Sequence, residues 1–268
     1  MNVEWWLVRH GLTAWNAERR YQGHSDPSLL PGEASGLTDL HRELEGVNFA
    51  AVFASDLRRC RETLAWARPD LLNNVQYDPR LREMDFGLWE GQTYEMLKDN
   101  ERYRAWIDDP QAVTPPDGES WEAFRSRVWE VCRELLSLTG TLEEGAGLEP
   151  RSQLNAEART SLPPTGGEPL FSPLPPSSPL PPSSPLPPSS PLSPASPLRP
   201  SSPLSPASPL RPSSPLFPSH PQPHEVTRLL IITHGGVISM LSSLLQPGLG
   251  FWDTRVGPGG IQRLFIQG

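Results

Sequence analysis

Cysteine is scarce: the 268 residues contain two, Cys60 and Cys132. Both fall beside apolar residues in helix-like patterns, which excludes a disulfide framework and predicts reduced core thiols in a cytoplasmic protein. Basic charge is also short, with 23 Lys and Arg against 31 Asp and Glu, a net charge of −8 and a pI near 5.3. That balance excludes a nucleic-acid partner and requires any positive field to be local. Long apolar runs are missing too. The N-terminal "WWLV" is too short for a signal peptide, and nothing approaches the length of a membrane span, so no membrane partner is expected.

Proline is thin over most of the chain, because 24 of its 34 copies lie between Ser161 and His224. That segment repeats a hexad, "PLPPSSPLPPSS", drifting to "PLSPASPLRPSS". Proline at such density removes backbone donors and fixes φ, so polyproline II or disorder is the expected state. The tail after it is near the size below which a lone domain rarely holds a core. Yet it carries "LLII", a run that reads as a strand buried on both faces. The tail is therefore expected to complete a sheet begun upstream. Lengthening a surface loop tenfold costs only about 2 kcal/mol in closure entropy, so an insertion is tolerable. The organisation read here is one domain in two parts, 1–160 and 225–268, interrupted by a disordered Pro/Ser-rich insertion over 161–224.

Outside the insertion, strand and helix patterns alternate. "EWWLV", "FAAVFA", "VQY", "RLLII" and "IQRLFIQ" read as strands. "GLTDLHREL" sets Leu37, Leu40 and Leu44 at helical spacing, and "SDLRRCRETLAWA" reads as a helix capped by Ser55 or Asp56. "TYEMLKDNERYRAWI" reads as one helix. "DGESWEAFRSRVWEVCRELLSL" aligns Trp121, Phe124, Val128, Val131, Leu135 and Leu138 on one stripe, with Asp117 as its cap, and "GVISMLSSLL" reads as the last helix. This alternation predicts an α/β fold, a three-layer α/β/α sandwich around a mostly parallel sheet.

In such sheets ligands bind beyond the carboxyl ends of the strands. The first strand ends in Arg9-His10-Gly11, the second in Ser55-Asp56 with Arg58 and Arg59 following, and the last long one in Thr233-His234-Gly235-Gly236. Two imidazoles and at least two guanidiniums are thus delivered to one sheet edge, beside helix N-termini that favour anions. Gathering positive charge in an acidic protein points to an anion, and a phosphoryl group suits the bidentate arginine fork.

"LVRHGLTAWN", "FASDLRRCRETL", "LREMDFGLWEGQTYEML" and "IITHGGVISML" resemble, in order and spacing, the motifs of the histidine phosphatase superfamily, the phosphoglycerate-mutase-like proteins. The resemblance implies that His10 is a nucleophile forming a phosphohistidine, and that Arg9 and Arg59 hold the phosphoryl oxygens. It also implies that His234 stabilises five-coordinate phosphorus and Glu83 exchanges protons with the leaving oxygen and the attacking water. Asn16, Gly23 and Gly235 would border the phosphate, with no metal and no cofactor. Arg9 beside His10 is expected to hold the imidazole neutral by like-charge repulsion, and the apolar neighbours Leu81, Met84 and Phe86 to raise the proton affinity of Glu83.

Bland readings compete with these. Each histidine could be structural, Asp85 and Glu90 rival Glu83, and Arg58, Arg61 and Arg68 read as solvated helix faces. His24 and Asp26 match no zinc spacing, and arginine among the ligands would repel a cation. The expected substrate is a small phosphorylated metabolite, with residues 92–118 covering its pocket. The compact "MDFGLWEGQTYEML" resembles the phosphatases of the family, so a metal-independent phosphomonoesterase is favoured over a phosphoglycerate mutase. The competing class is an interaction protein whose Pro-x-x-Pro spacings dock an SH3-like partner on a passive core.

Overall fold

A computed structural model describes residues 2–33, 36–140 and 226–267. The 161–224 insertion, and with it any docking of its Pro-x-x-Pro spacings, lies outside the described residues.

Five strands form one sheet: β1 (Asn2–Arg9), β2 (Ala51–Ala54), β3 (Val75–Tyr77), β4 (Thr227–Thr233) and β5 (Ile261–Gln267). Their order is β3-β2-β4-β1-β5, parallel except for β5, which runs antiparallel along β1. β4 therefore fills the place between β1 and β2, with Arg9 opposite Thr233. The central strands are apolar on both faces because both are covered. Trp5, Leu7 and Ile231 point into one core, while Trp6, Val8 and Ile232 point into the other.

Helices cover each face. On one side α2 (Thr38–Leu44) and α3 (Arg58–Ala67) bury Leu40, Leu44, Cys60 and Leu64. On the other, α5 (Glu101–Asp108), α6 (Trp121–Leu138) and α7 (Gly235–Leu245) bury Trp106, Phe124, Val128, Val131, Val237 and Ile238. Two one-turn helices, α1 (Ala14–Ala17) and α4 (Tyr94–Leu97), sit in the connections. Each fully buried large apolar side chain stabilises the fold by roughly 1.5–3 kcal/mol. The result is the expected three-layer α/β/α arrangement. Among the described residues no helix is long and apolar enough to cross a membrane, and Cys60 and Cys132 are free and buried.

Four local expectations are corrected. The 93–107 stretch is two helices, because the Asn100 side chain accepts from the Tyr103 amide and starts a new one. α6 is capped by Ser120, not Asp117; Asp117 adopts φ 54° in the turn before it. α3 starts after Leu57 with no side-chain cap, because the Asp56 carboxylate takes the Arg82 guanidinium and Ser55 turns towards His234. Arg68 is not solvated: it is buried, donating to the carbonyls of Leu44 and Val47.

Candidate active site

The parallel strands β1, β4 and β2 end side by side, so the residues that follow them share one edge. His10 leaves β1 with its amide on the Thr233 carbonyl at 3.0 Å, while His234 follows β4 and caps α7. Their rings meet edge to face with centroids 5.1 Å apart. The Nδ1 of His10 lies 2.8 Å from the Gly11 carbonyl. A carbonyl only accepts, so Nδ1 carries the proton and Nε2 keeps its lone pair. His234 has the opposite pattern. Its Nδ1 accepts from Arg59 Nε at 3.3 Å, leaving Nε2–H to donate to the Ser55 hydroxyl at 2.9 Å. One imidazole has a free nitrogen and the other has none.

Both rings are buried, and both imidazoles titrate well below the ordinary histidine value. For His10 the causes are burial first, then the Arg59 guanidinium, and only then Arg9. The expected source, Arg9, is therefore the least of the three. Arg59 is fully buried and ties the site together. Its two terminal nitrogens donate to the carbonyls of Ser25 and Gly23, each at 2.8 Å. With the Gln22 amide nitrogen turned to Thr13, its oxygen also accepts from Arg59 Nε at 2.8 Å. Arg9 bonds the Val256 carbonyl through Nη1, while its Nε is buried without a hydrogen-bond partner. Arg9 also lines the cavity that His10 lines, so its positive charge lies at the same edge.

Glu83 arrives from an irregular segment, not a strand. Its carboxylate accepts from the amides of Gly236 at 2.9 Å and Met84 at 3.0 Å. Burial nevertheless raises its proton affinity above the ordinary carboxyl value, as the apolar setting predicts. The other two carboxylates are otherwise engaged. Glu90 accepts from the amides of His24, Ser25 and Phe86, and Asp85 accepts from the Gly87 amide and faces His24 at 3.4 Å. Among the described residues no group of three His, Cys, Asp or Glu is placed to hold a metal ion.

A cavity opens at this edge. His10, Arg9, Glu83, Asn16 and Gly235 line it; Arg59, His234 and Gly23 do not. Gly23 instead packs against the Met84 carbonyl and Glu90, where a Cβ would come within 2.2 and 2.3 Å, so its close approach supports the Arg59 anchor. The expected cover from 92–118 is absent from the wall, because Tyr103 and Trp106 of α5 turn inward against Tyr21 and Trp89. The outer wall is built by Phe251, Trp252, Thr254 and Arg255, with Arg20, Gln22 and Ser239 beside them. Sequence reasoning missed this group. Its one signal was an aromatic pair next to charge, "FWDTR", inside a glycine-rich loop.

A profile described as "Histidine phosphatase superfamily (branch 1)" matches residues 5–142. Among curated proteins, the adenosylcobalamin/alpha-ribazole phosphatase of Escherichia coli strain K12 is 38% identical over 125 residues, 46% of this chain and 62% of that protein. A protein of Enterobacter sp. strain 638 carrying the name "Probable phosphoglycerate mutase GpmB" is 33% identical over 135 residues, 50% of this chain and 63% of that one. The chain thus spans somewhat under two thirds of the length of these relatives. Among solved structures, the alpha-ribazole phosphatase of Shigella flexneri superposes with a TM-score of 0.61 at 22% identity, over 97% of this chain and 89% of that one.

Proposed function

The chain belongs to the histidine phosphatase superfamily, and on that premise we propose that it is a metal-independent phosphomonoesterase acting on a small phosphorylated metabolite through a phosphohistidine on His10. The observation that carries this reading is the His10 tautomer. Its Nδ1 proton is held by the Gly11 carbonyl, leaving Nε2 as a buried, neutral nucleophile in a cavity that Arg9 also lines.

The reaction runs in two displacements. Nε2 of His10 forms a bond to phosphorus as the bond to the leaving oxygen breaks. Glu83, whose proton affinity burial raises, gives that oxygen its proton. Glu83 then takes a proton from a water that attacks the phosphohistidine, releasing inorganic phosphate and restoring His10. Arg9 neutralises the phosphoryl oxygens directly, the work a cation would otherwise do. Arg59 and His234 act from behind, through charge and through the fixed place of the His10 ring.

Relatives named phosphatases and relatives named mutases share the matched segment, so the choice rests on water. A mutase must protect its phosphohistidine until it returns the group. Here Glu83 lines the cavity and can activate water, which favours hydrolysis. Residues 1–160 and 225–268 are read as one domain, a reading supported by β4 lying between β1 and β2. The free thiols support a cytoplasmic location.

The test is phosphate release from a panel of phosphomonoesters with chelator present, for wild type and His10→Ala, with isomerised phosphoglycerate measured alongside. Chelator-resistant phosphate release that His10→Ala abolishes is expected. Isomerisation without net phosphate would assign a mutase, and activity that vanishes with chelator would overturn the metal-free mechanism.

A further inference from the structure

Glu83 poses a structural problem. It is buried and must be held to a fraction of an ångström, yet the segment that carries it runs from a three-residue 3-10 turn (Pro79–Leu81) through extended Arg82 into another short turn at Gly87–Trp89. No strand ladder fixes this backbone. Its carbonyls need donors from elsewhere.

The donors come from α6. Arg127 gives Nη1 to the carbonyls of Arg80 at 2.8 Å and Arg82 at 2.6 Å, and Nη2 to the carbonyl of Glu83 itself at 2.8 Å. Its remaining two N–H groups fork onto Glu119, Nε to Oε1 at 2.7 Å and Nη2 to Oε2 at 2.8 Å. All five guanidinium donors are thereby used. Glu119 closes the other flank. Its Oε2 accepts from the Asp85 amide at 3.3 Å, and its own amide donates to the Asp85 carbonyl at 2.9 Å. Both side chains are mostly buried, 17% and 13% exposed, so the ion pair is shielded from salt. Neither lines the cavity.

We propose that Arg127 and Glu119 form a clamp that positions Glu83 for proton transfer to the leaving group. The inference rests on the reading of Glu83 as the proton donor. Lysine cannot replace Arg127, because an ammonium has three donors and no planar fork.

The experiment compares kcat/KM for two monoesters, an aryl phosphate whose leaving oxygen is stable as an anion and an alkyl phosphate whose leaving oxygen needs a proton. kcat/KM reports the first displacement alone. Glu83→Gln sets the reference: a loss on the alkyl ester on the order of 10²-fold or more and a much smaller one on the aryl ester. Arg127→Lys and Glu119→Gln are expected to show the same selectivity more weakly, about tenfold on the alkyl ester and under about threefold on the aryl ester. A merely structural clamp would lower both substrates equally in these variants while Glu83→Gln still discriminated, and that would overturn the proposal. If Glu83→Gln itself failed to discriminate, the proton-donor reading would fall and this proposal with it. Glu119→Gln preserves shape, so it supplies the comparison should Arg127→Lys fold poorly.

Discussion

The two sides of the cavity are built in different ways. His10, Arg9 and His234 leave neighbouring parallel strands, and the register that pairs Arg9 with Thr233 places them without further help. Glu83 comes from an irregular segment and depends on side chains far away in sequence, Arg127 and Glu119, and on the Gly236 amide at the start of α7. On the proposed reading, the nucleophile is positioned by the ladder and the acid by a clamp. Damage to the two sides should therefore look different.

The largest loss is expected from His10→Ala, which removes the proposed nucleophile and should lower turnover by on the order of 10³-fold or more. His234→Ala should cost less, since both nitrogens of that ring are engaged by Arg59 and Ser55 and neither is free to attack. Steady-state kinetics of the two variants checks the order. Next comes the seam between the sides. A Cβ on Gly236 would lie 2.2 Å from Glu83 Oε1, so Gly236→Ala should displace the carboxylate and cost about tenfold or more in kcat. The same change at Gly235 meets Arg9 only at 3.4 Å, an ordinary contact, and should cost less.

The pH dependence of stability sharpens the comparison further. His10 and His234 titrate well below 6.5 in the fold, so below that pH the unfolded chain binds protons that the folded one does not. Their contribution is complete above pH 6.5 and is lost as pH falls, at about 1.4 kcal/mol per pH unit for each imidazole. Urea unfolding across pH 5–7 should show this slope, flattened in His234→Asn. Glu83 has the opposite sign: its raised proton affinity makes the folded state less stable as pH rises past the ordinary carboxyl value. The smallest effect belongs to the tie between the two sides. Thr233 Oγ1 donates to the Leu81 carbonyl at 2.7 Å, and Thr233→Val should cost about 1 kcal/mol in denaturant unfolding.

The same division explains what could be read in advance. The alternation of strands and helices and the residues at strand mouths were legible, because apolar runs and their ends are local patterns. The rivalry between Glu83, Asp85 and Glu90 was open in the sequence; that Glu83 alone of the three lines the cavity supports the reading proposed above. Arg127 gave no sign, since an arginine on an amphipathic helix looks solvated until its five partners are seen. The contacts of Arg59 with Gly23, Ser25 and Gln22 gave no sign either, because they are set by tertiary packing alone. The cavity wall at 251–255 was missed for a similar reason: a loop carries no periodicity to announce which face it presents.

Covalent chemistry at His10 is open to direct measurement. Glu83→Gln protein, in which attack by water is slowed, is mixed with a 32P-labelled aryl phosphate, quenched in base and digested for peptide mapping. Acid-labile, base-stable label on the peptide containing His10 is the predicted result. Label on another residue, or continued phosphate release with no protein-bound label at any quench time, would contradict it.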